Sequence, residues 1–149
     1  MKIRKATIKD LGEIAKLFLE YGELEHKLDK NVRKESLKDI LKIEKEHMKL
    51  GTEYFIVEEN DNLLGVINTN IDKRGKEKIG VFHTIIITKE ARGKGYGKKL
   101  LKHVSNYFKK KCCLRVRTFI HKANKNALNF WIKQGFQTEE GYHASKRLT

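Results

Sequence analysis

The ten residues Glu90–Lys99, EARGKGYGKK, constrain this chain more than any other stretch. Three glycines and four cations separate a β-branched run, HTIIIT, from an apolar, helix-like segment, LLKHVSNYF. A strand ending at Thr88 and a helix starting near Gly95 place this loop at a helix N-terminus. The N–H groups of a first helical turn lack intrahelical acceptors and carry partial positive charge. Anions settle there. Gly93, Gly95 and Gly97 remove the side chains that would block a phosphate and permit unusual backbone angles. Arg92, Lys94, Lys98 and Lys99 add charge. The chemistry predicted is a pyrophosphate wrapped by backbone N–H groups. A P-loop needs Gly, four residues and Gly-Lys-Ser/Thr, which this stretch lacks. The dinucleotide fingerprint needs G-x-G-x-x-G in an early βαβ unit, whereas GKGYGK misses the third glycine position and sits late in the chain.

The flanking pattern predicts the remaining elements. KIRKA reads as a strand. TIKDLGEIAKLFLEY reads as a helix capped by Thr7 with Asp10 three residues on, and Leu11, Ile14, Ala15 and Phe18 share a face. ESLKDILKIEKEHMKLG is a second helix with Ser36 as its cap. EYFIVEE and LLGVINTNI form a hairpin around NDN. DKRGKEK reads as a charged loop, and IGVFHTIIIT as a long buried strand. In the helix after the glycines, Leu100, Leu101, Val104 and Phe108 line one face. CCLRVRTFI alternates as a strand, NKNALNFWIKQG is a helix stopped by Gly135, and FQTEE and YHASKRL close the chain as a strand pair. The order β α α β β β α β α β β predicts one mixed α/β (α+β) domain over residues 1–149.

Composition narrows the classes further. A length of 149 residues suits one core. No long apolar run predicts a membrane helix, and MKIRKATIKD lacks the apolar core of a signal peptide. The only cysteines, Cys112 and Cys113, are adjacent, so neither a disulfide nor a metal spacing is expected, and a cytoplasmic setting follows. Net charge is +14. Residues 1–88 hold 17 Lys/Arg against 16 Asp/Glu, whereas residues 89–149 hold 16 against 3. The second half should therefore attract anions. A nucleic-acid or ribosome-binding module is the reading from another class, although no RNA motif with stacking aromatics supports it.

RGKGYG after HTIIITKEA resembles the acetyl-CoA signature of the GCN5-related N-acetyltransferase (GNAT) family, with Arg92, Gly95 and Gly97 at its defining positions. A second family pattern follows in NKNALNFWIKQGF, through Asn124, Ala127, Phe130, Gly135 and Phe136. The resemblance implies the family's mixed sheet with splayed strands, acetyl-CoA as cosubstrate, and direct acyl transfer to a small-molecule or protein amine. It implies that the backbone of Ile85 and Ile87 meets the pantetheine arm. The loop Arg92, Gly93, Lys94, Gly95, Tyr96, Gly97 would hold the pyrophosphate with help from Lys98 and Lys99, and Asn124 would contact the cofactor. Homodimers are common in such proteins.

Two positions depart from the family pattern. Trp131 stands where many relatives carry a tyrosine that protonates the leaving thiolate, and an indole N–H has no usable acidity. Either the thiolate leaves unprotonated, or Tyr96, Tyr142 or water serves, or the domain is a non-catalytic acetyl-CoA binder. His83 stands where many relatives carry a glutamate base. Strand alternation would place it on one face with Ile85 and Ile87, and a neutral imidazole can accept a proton near pH 7. His143 and Glu53 are lesser base candidates. The acidic segment LEYGELEHKLDKN, with Glu20, Glu23, Glu25 and Asp29, is a candidate for holding a cationic acceptor.

Overall fold

The structure, a computed structural model, describes residues 1–138 and 143–148. Strand β1 (Lys2–Lys5) leads through a short 3₁₀ turn into helices α1 (Leu11–Leu28) and α2 (Leu37–Lys49). A meander follows: β2 (Glu53–Glu59), β3 (Asn62–Arg74) and β4 (Glu77–Ile87). Helix α3 (Tyr96–Lys110) crosses over to β5 (Arg115–Phe119), and α4 (Lys125–Lys133) precedes β6 (Gln137–Thr138) and β7 (His143–Arg147). The seven strands form one sheet in the order β1-β2-β3-β4-β5-β7-β6. All neighbours are antiparallel except β4 and β5.

The sheet separates two apolar layers. On one side, Leu100, Leu101, Val104 and Phe108 of α3 pack with Phe82, Val116, Trp131 and Phe136. On the other, Ile14 and Leu17 of α1 pack with Tyr54, Ile56, Val66 and Ile86. The mixed α/β architecture and the four-residue face of α3 match the sequence expectation. At the first helix, the Thr7 N–H donates to Asp10 Oδ2 at 2.8 Å, half of the expected capping box.

Three segments differ from the periodicity reading. The segment 72–78, expected as a loop, belongs almost wholly to strands, with Asp72 opposite Ile79 and Arg74 opposite Glu77. Its charges find partners on β5: Asp72 pairs with Arg117, and Glu77 Oε1 lies 3.0 Å from Arg115 Nε. Helix α1 runs to Leu28, through Gly22 and into the acidic segment, beyond the end at Tyr21 that the sequence pattern predicts. An interior glycine costs about 1 kcal/mol. Burial of neighbouring Leu17 and packing of Phe18 and Tyr21 on the sheet offset it. Strand β5 starts at Arg115, not at the cysteines. Cys112 has a left-handed backbone (φ 64) and Cys113 is buried.

A fourth difference shapes the site. Between β3 and β4, Asn68 pairs with Thr84 and Thr69 with Phe82, so His83 is an extra residue in a β-bulge. Thr84 N–H donates to the buried Asn68 side chain (Oδ1, 2.8 Å) in place of a ladder carbonyl. The Asn68→Leu variant leaves that N–H unpaired. An orphaned buried donor costs about 1–3 kcal/mol, so urea unfolding should show a loss of that size. An unchanged midpoint would mean that the amide does not hold the bulge.

Candidate functional site: a splayed groove and an acidic cavity

Parallel pairing of β4 with β5 stops at Phe82 opposite Thr118. The bulge at His83 follows directly, and β5 ends at Phe119. Bulges raise local twist, and the end of β4 parts from β5. Thr88 N–H bonds Leu64 O on β3 at 2.9 Å. Backbone groups alternate in direction along a strand, so those of Ile85 and Ile87 point away from β3, into the gap. Arg92 Nε donates to Ile87 O at 3.0 Å, which confirms that direction.

The gap opens into a groove of about 270 Å³ lined by Ile85, Ile86, Ile87, Arg92, Gly97, Asn124, Asn126, Ala127, Phe130 and Trp131, with Tyr21 and Leu24 of α1. Gly95, in the left-handed region (φ 82), caps α3, and its carbonyl accepts from Lys99 N–H at 3.1 Å. Among the described residues, no backbone acceptor engages the N–H groups of Gly93 through Lys98. That is the donor array the sequence predicted, at the end of the groove. Lys94, Lys98 and Lys99 are exposed beside it. Lys99 Nζ sits 5.8 Å from the Tyr96 ring centre.

Asn124 is buried and caps α4: its Oδ1 accepts from Ala127 N–H at 3.1 Å, and its Nδ2 donates to Tyr21 Oη at 3.5 Å. Tyr96 turns elsewhere, donating to Glu59 Oε2 at 3.1 Å, so its hydroxyl is committed outside the groove. Trp131 is buried, packed edge-on to Phe136 with centroids 4.8 Å apart and against Phe82 at 5.6 Å, with part of its surface on the groove wall. Tyr142 lies outside the described residues, as does the side chain of His143. Glu53 pairs with Lys5 at 2.9 Å and lines another depression beside α2.

The bulge corrects the expected position of His83. Phe82 and Ile85 lie in the α3/α4 layer. His83 is turned to the α2 side, its Nε2 2.7 Å from Asn70 Oδ1. Thr52 Oγ1 donates to the same oxygen at 3.0 Å, which marks it as an acceptor. A proton on Nε2 leaves the Nδ1 lone pair available. The ring reaches solvent on one side. Desolvation on the other lowers its pKa from the ordinary histidine value, and His47 and Arg117 act in the same direction against Asp72.

On that α1/α2 side lies a second cavity of about 360 Å³, lined by Thr84 of β4, by Phe18, Tyr21, Glu23 and Glu25 of α1, by Arg33, Lys34 and Glu35, and by Ile40 and Glu44 of α2. Glu44 is buried and accepts a short hydrogen bond from the Tyr54 hydroxyl, with His47 Nδ1 3.5 Å away. Of the acidic residues singled out by sequence, Glu23 and Glu25 reach the cavity. Asp29 pairs with His121 Nε2 at 3.0 Å, and Glu20 is exposed. Sequence reasoning missed Tyr21, Glu44 and Asn126. The apolar helix face around Tyr21 masks its role, and Glu44 sits in a charged helix where nothing marks it as buried.

Among the described residues, no helix is long and apolar enough to cross a membrane, and no group of His, Cys, Asp and Glu is placed to hold a metal ion. A family model described as the acetyltransferase (GNAT) family matches residues 13–136. No curated protein matches by sequence. Solved structures match across nearly the whole chain. PaiA N-acetyltransferase from Thermoplasma acidophilum, in complex with coenzyme A, has a TM-score of 0.76 and 21% identity, covering 99% of this chain and 100% of that one. An N-acetyltransferase from Staphylococcus aureus Mu50 gives 0.74 and 17%, covering 99% and 98%. Ribosomal-protein-alanine N-acetyltransferase from Brucella melitensis gives 0.71 and 16%, covering 99% and 100%. At these identities the likeness is one of fold.

Proposed function

This chain belongs to the acetyltransferase (GNAT) family, and from that premise we propose that it is an acetyl-CoA-dependent N-acetyltransferase acting on a primary amine. The observation that carries the reading is the splay itself. The backbone edge of Ile85 and Ile87, which no strand of the sheet pairs, runs toward the N–H groups of Gly93 to Lys98, which no backbone acceptor engages. An acyl-CoA offers amide groups for the first and a pyrophosphate for the second. The complex of PaiA with coenzyme A supports the same assignment.

Each part of the site then has a task. The loop N–H groups and Arg92 hold the diphosphate. The strand edge at Ile85 donates to the thioester oxygen as negative charge develops there. The amine enters from the α1/α2 side, where the carboxylates of Glu23, Glu25 and Glu44 favour a cation. It arrives as an ammonium, since alkyl amines have pKa values near ~10, and it must lose a proton before attack. His83 Nδ1, on the same side as Thr84, takes that proton through water. A thiol pKa near ~8.5 lets the sulfur depart as an anion. The free cysteines Cys112 and Cys113 support a cytoplasmic setting.

The test is calorimetric titration with acetyl-CoA, followed by an amine panel read by thiol release. Saturable binding with thiol release on adding an amine is expected, and absence of binding would overturn the reading. For His83→Gln, which removes the base, kcat should fall about 10²–10⁴-fold. The wild-type kcat/KM should fall on acidification, with a midpoint below ~6.5 because His83 is depressed from that value. An acid limb unaltered in the variant would assign the base elsewhere.

A further inference from the structure

We infer that the Tyr21 hydroxyl donates a hydrogen bond to the departing sulfur, the role left open by a tryptophan at position 131. This rests on the acetyl-CoA reading above. Tyr21 lines both the groove and the acidic cavity. Thr84 of β4 lines the cavity and the next residues, Ile85 and Ile86, line the groove, so the two spaces adjoin at Tyr21, and an amine from one side must meet a thioester from the other at such a junction. Tyr21 Oη accepts from Asn124 Nδ2 at 3.5 Å. Asn124 is itself fixed, because its Oδ1 caps α4. One lone pair is so engaged, and the hydroxyl donates to Glu25 one turn along α1, the acceptor that a bound sulfur would replace. Trp131, by contrast, is held among Phe82, Phe130 and Phe136.

Burial, with Glu25 close by, pushes the Tyr21 pKa well above the ordinary tyrosine value. Tyr21 therefore keeps its proton and acts as a donor throughout. The bonds balance without a proton leaving it. The amine lone pair forms the C–N bond, the C–S bond breaks with its pair going to sulfur, and the nitrogen proton passes to base or solvent. The thiolate leaves hydrogen-bonded to Tyr21.

The test compares CoA with desulfo-CoA, which lacks the sulfur, by calorimetry at pH 9, where most of a thiol of pKa ~8.5 is ionised. A hydrogen bond to a charged group is worth roughly a factor of 10–100. Wild type should prefer CoA to desulfo-CoA by at least about 10-fold, and Tyr21→Phe should reduce that preference to about 2-fold or less. The kcat of Tyr21→Phe should drop by the same factor while the KM for acetyl-CoA holds. A matching thermal midpoint checks that the variant is folded. An equal CoA preference in both proteins overturns the inference while leaving the acetyl-CoA reading intact. Failure of wild type to bind either ligand overturns both.

Discussion

Gly97→Leu should abolish acetyl-CoA binding and leave the fold in place. A Cβ at Gly97 would rest 3.5 Å from the Phe130 ring and 3.6 Å from Ile87, ordinary contact distances. Alanine is therefore tolerated there. The branched end of a leucine cannot pass between Phe130 and Ile87, both of which wall the groove, and so it must project into the groove. Acetyl-CoA should stabilise wild type by about 2.7 kcal/mol at a hundredfold excess over Kd. Under the same conditions the Leu variant should show no shift, a loss of affinity of roughly 100-fold or more, while its unliganded midpoint stays close to wild type and Gly97→Ala retains binding. Gly95→Val attacks the same array by another route. Its φ of 82° suits glycine, and a β-branched residue there costs on the order of 1–2 kcal/mol, which would turn the N–H groups away from the diphosphate. A Gly97→Leu protein that still shifts fully with acetyl-CoA would remove the groove from the mechanism.

The largest effect on stability is expected from Gly80→Val. A Cβ at this position in β4 would lie 2.5–2.7 Å from three atoms of the Phe108 ring. That ring has no exposed surface and is braced edge-on by Phe82 at 5.2 Å. Helix α3 would have to lift off the sheet. Overpacking of this kind costs about 3 kcal/mol or more, a large share of a small domain's stability. Urea unfolding at constant m-value measures it. Combining Gly80→Val with Phe108→Leu should recover part of the loss, because the two side chains compete for one space. A single variant within about 1 kcal/mol of wild type would show that α3 is not seated on Gly80.

The groove also shows why some residues were legible in advance and others were not. Gly93, Gly95, Gly97 and Arg92 announce themselves because a strand, a glycine run and an apolar helix face lie within twenty-odd residues, and each signal is local. Asn124 is equally readable, since a capping asparagine ahead of an apolar helix has a sequence pattern. His83 was placed on the correct strand and the wrong face. Alternation holds only while both strands advance together, and the bulge opposite Asn68 and Thr69 adds a residue to β4 alone. The two asparagines of NTN, Asn68 and Asn70, are its only local trace. Asn68 takes the stray Thr84 N–H and Asn70 holds the imidazole.

The sequence by itself determined the order of elements, the mixed sheet, the apolar face of α3 and the glycine-rich turn ahead of it, because helix and strand periods and backbone sterics act over a few residues. Tertiary structure alone decided the length of α1, the strand character of 72–78, the side taken by His83 and the meeting of Tyr21 with Asn124, 103 positions apart. Each of those depends on a free energy that exists only after the sheet has formed: packing that offsets the Gly22 penalty, ion pairs to β5, a cross-strand count, and the desolvation of a hydroxyl between two cavities.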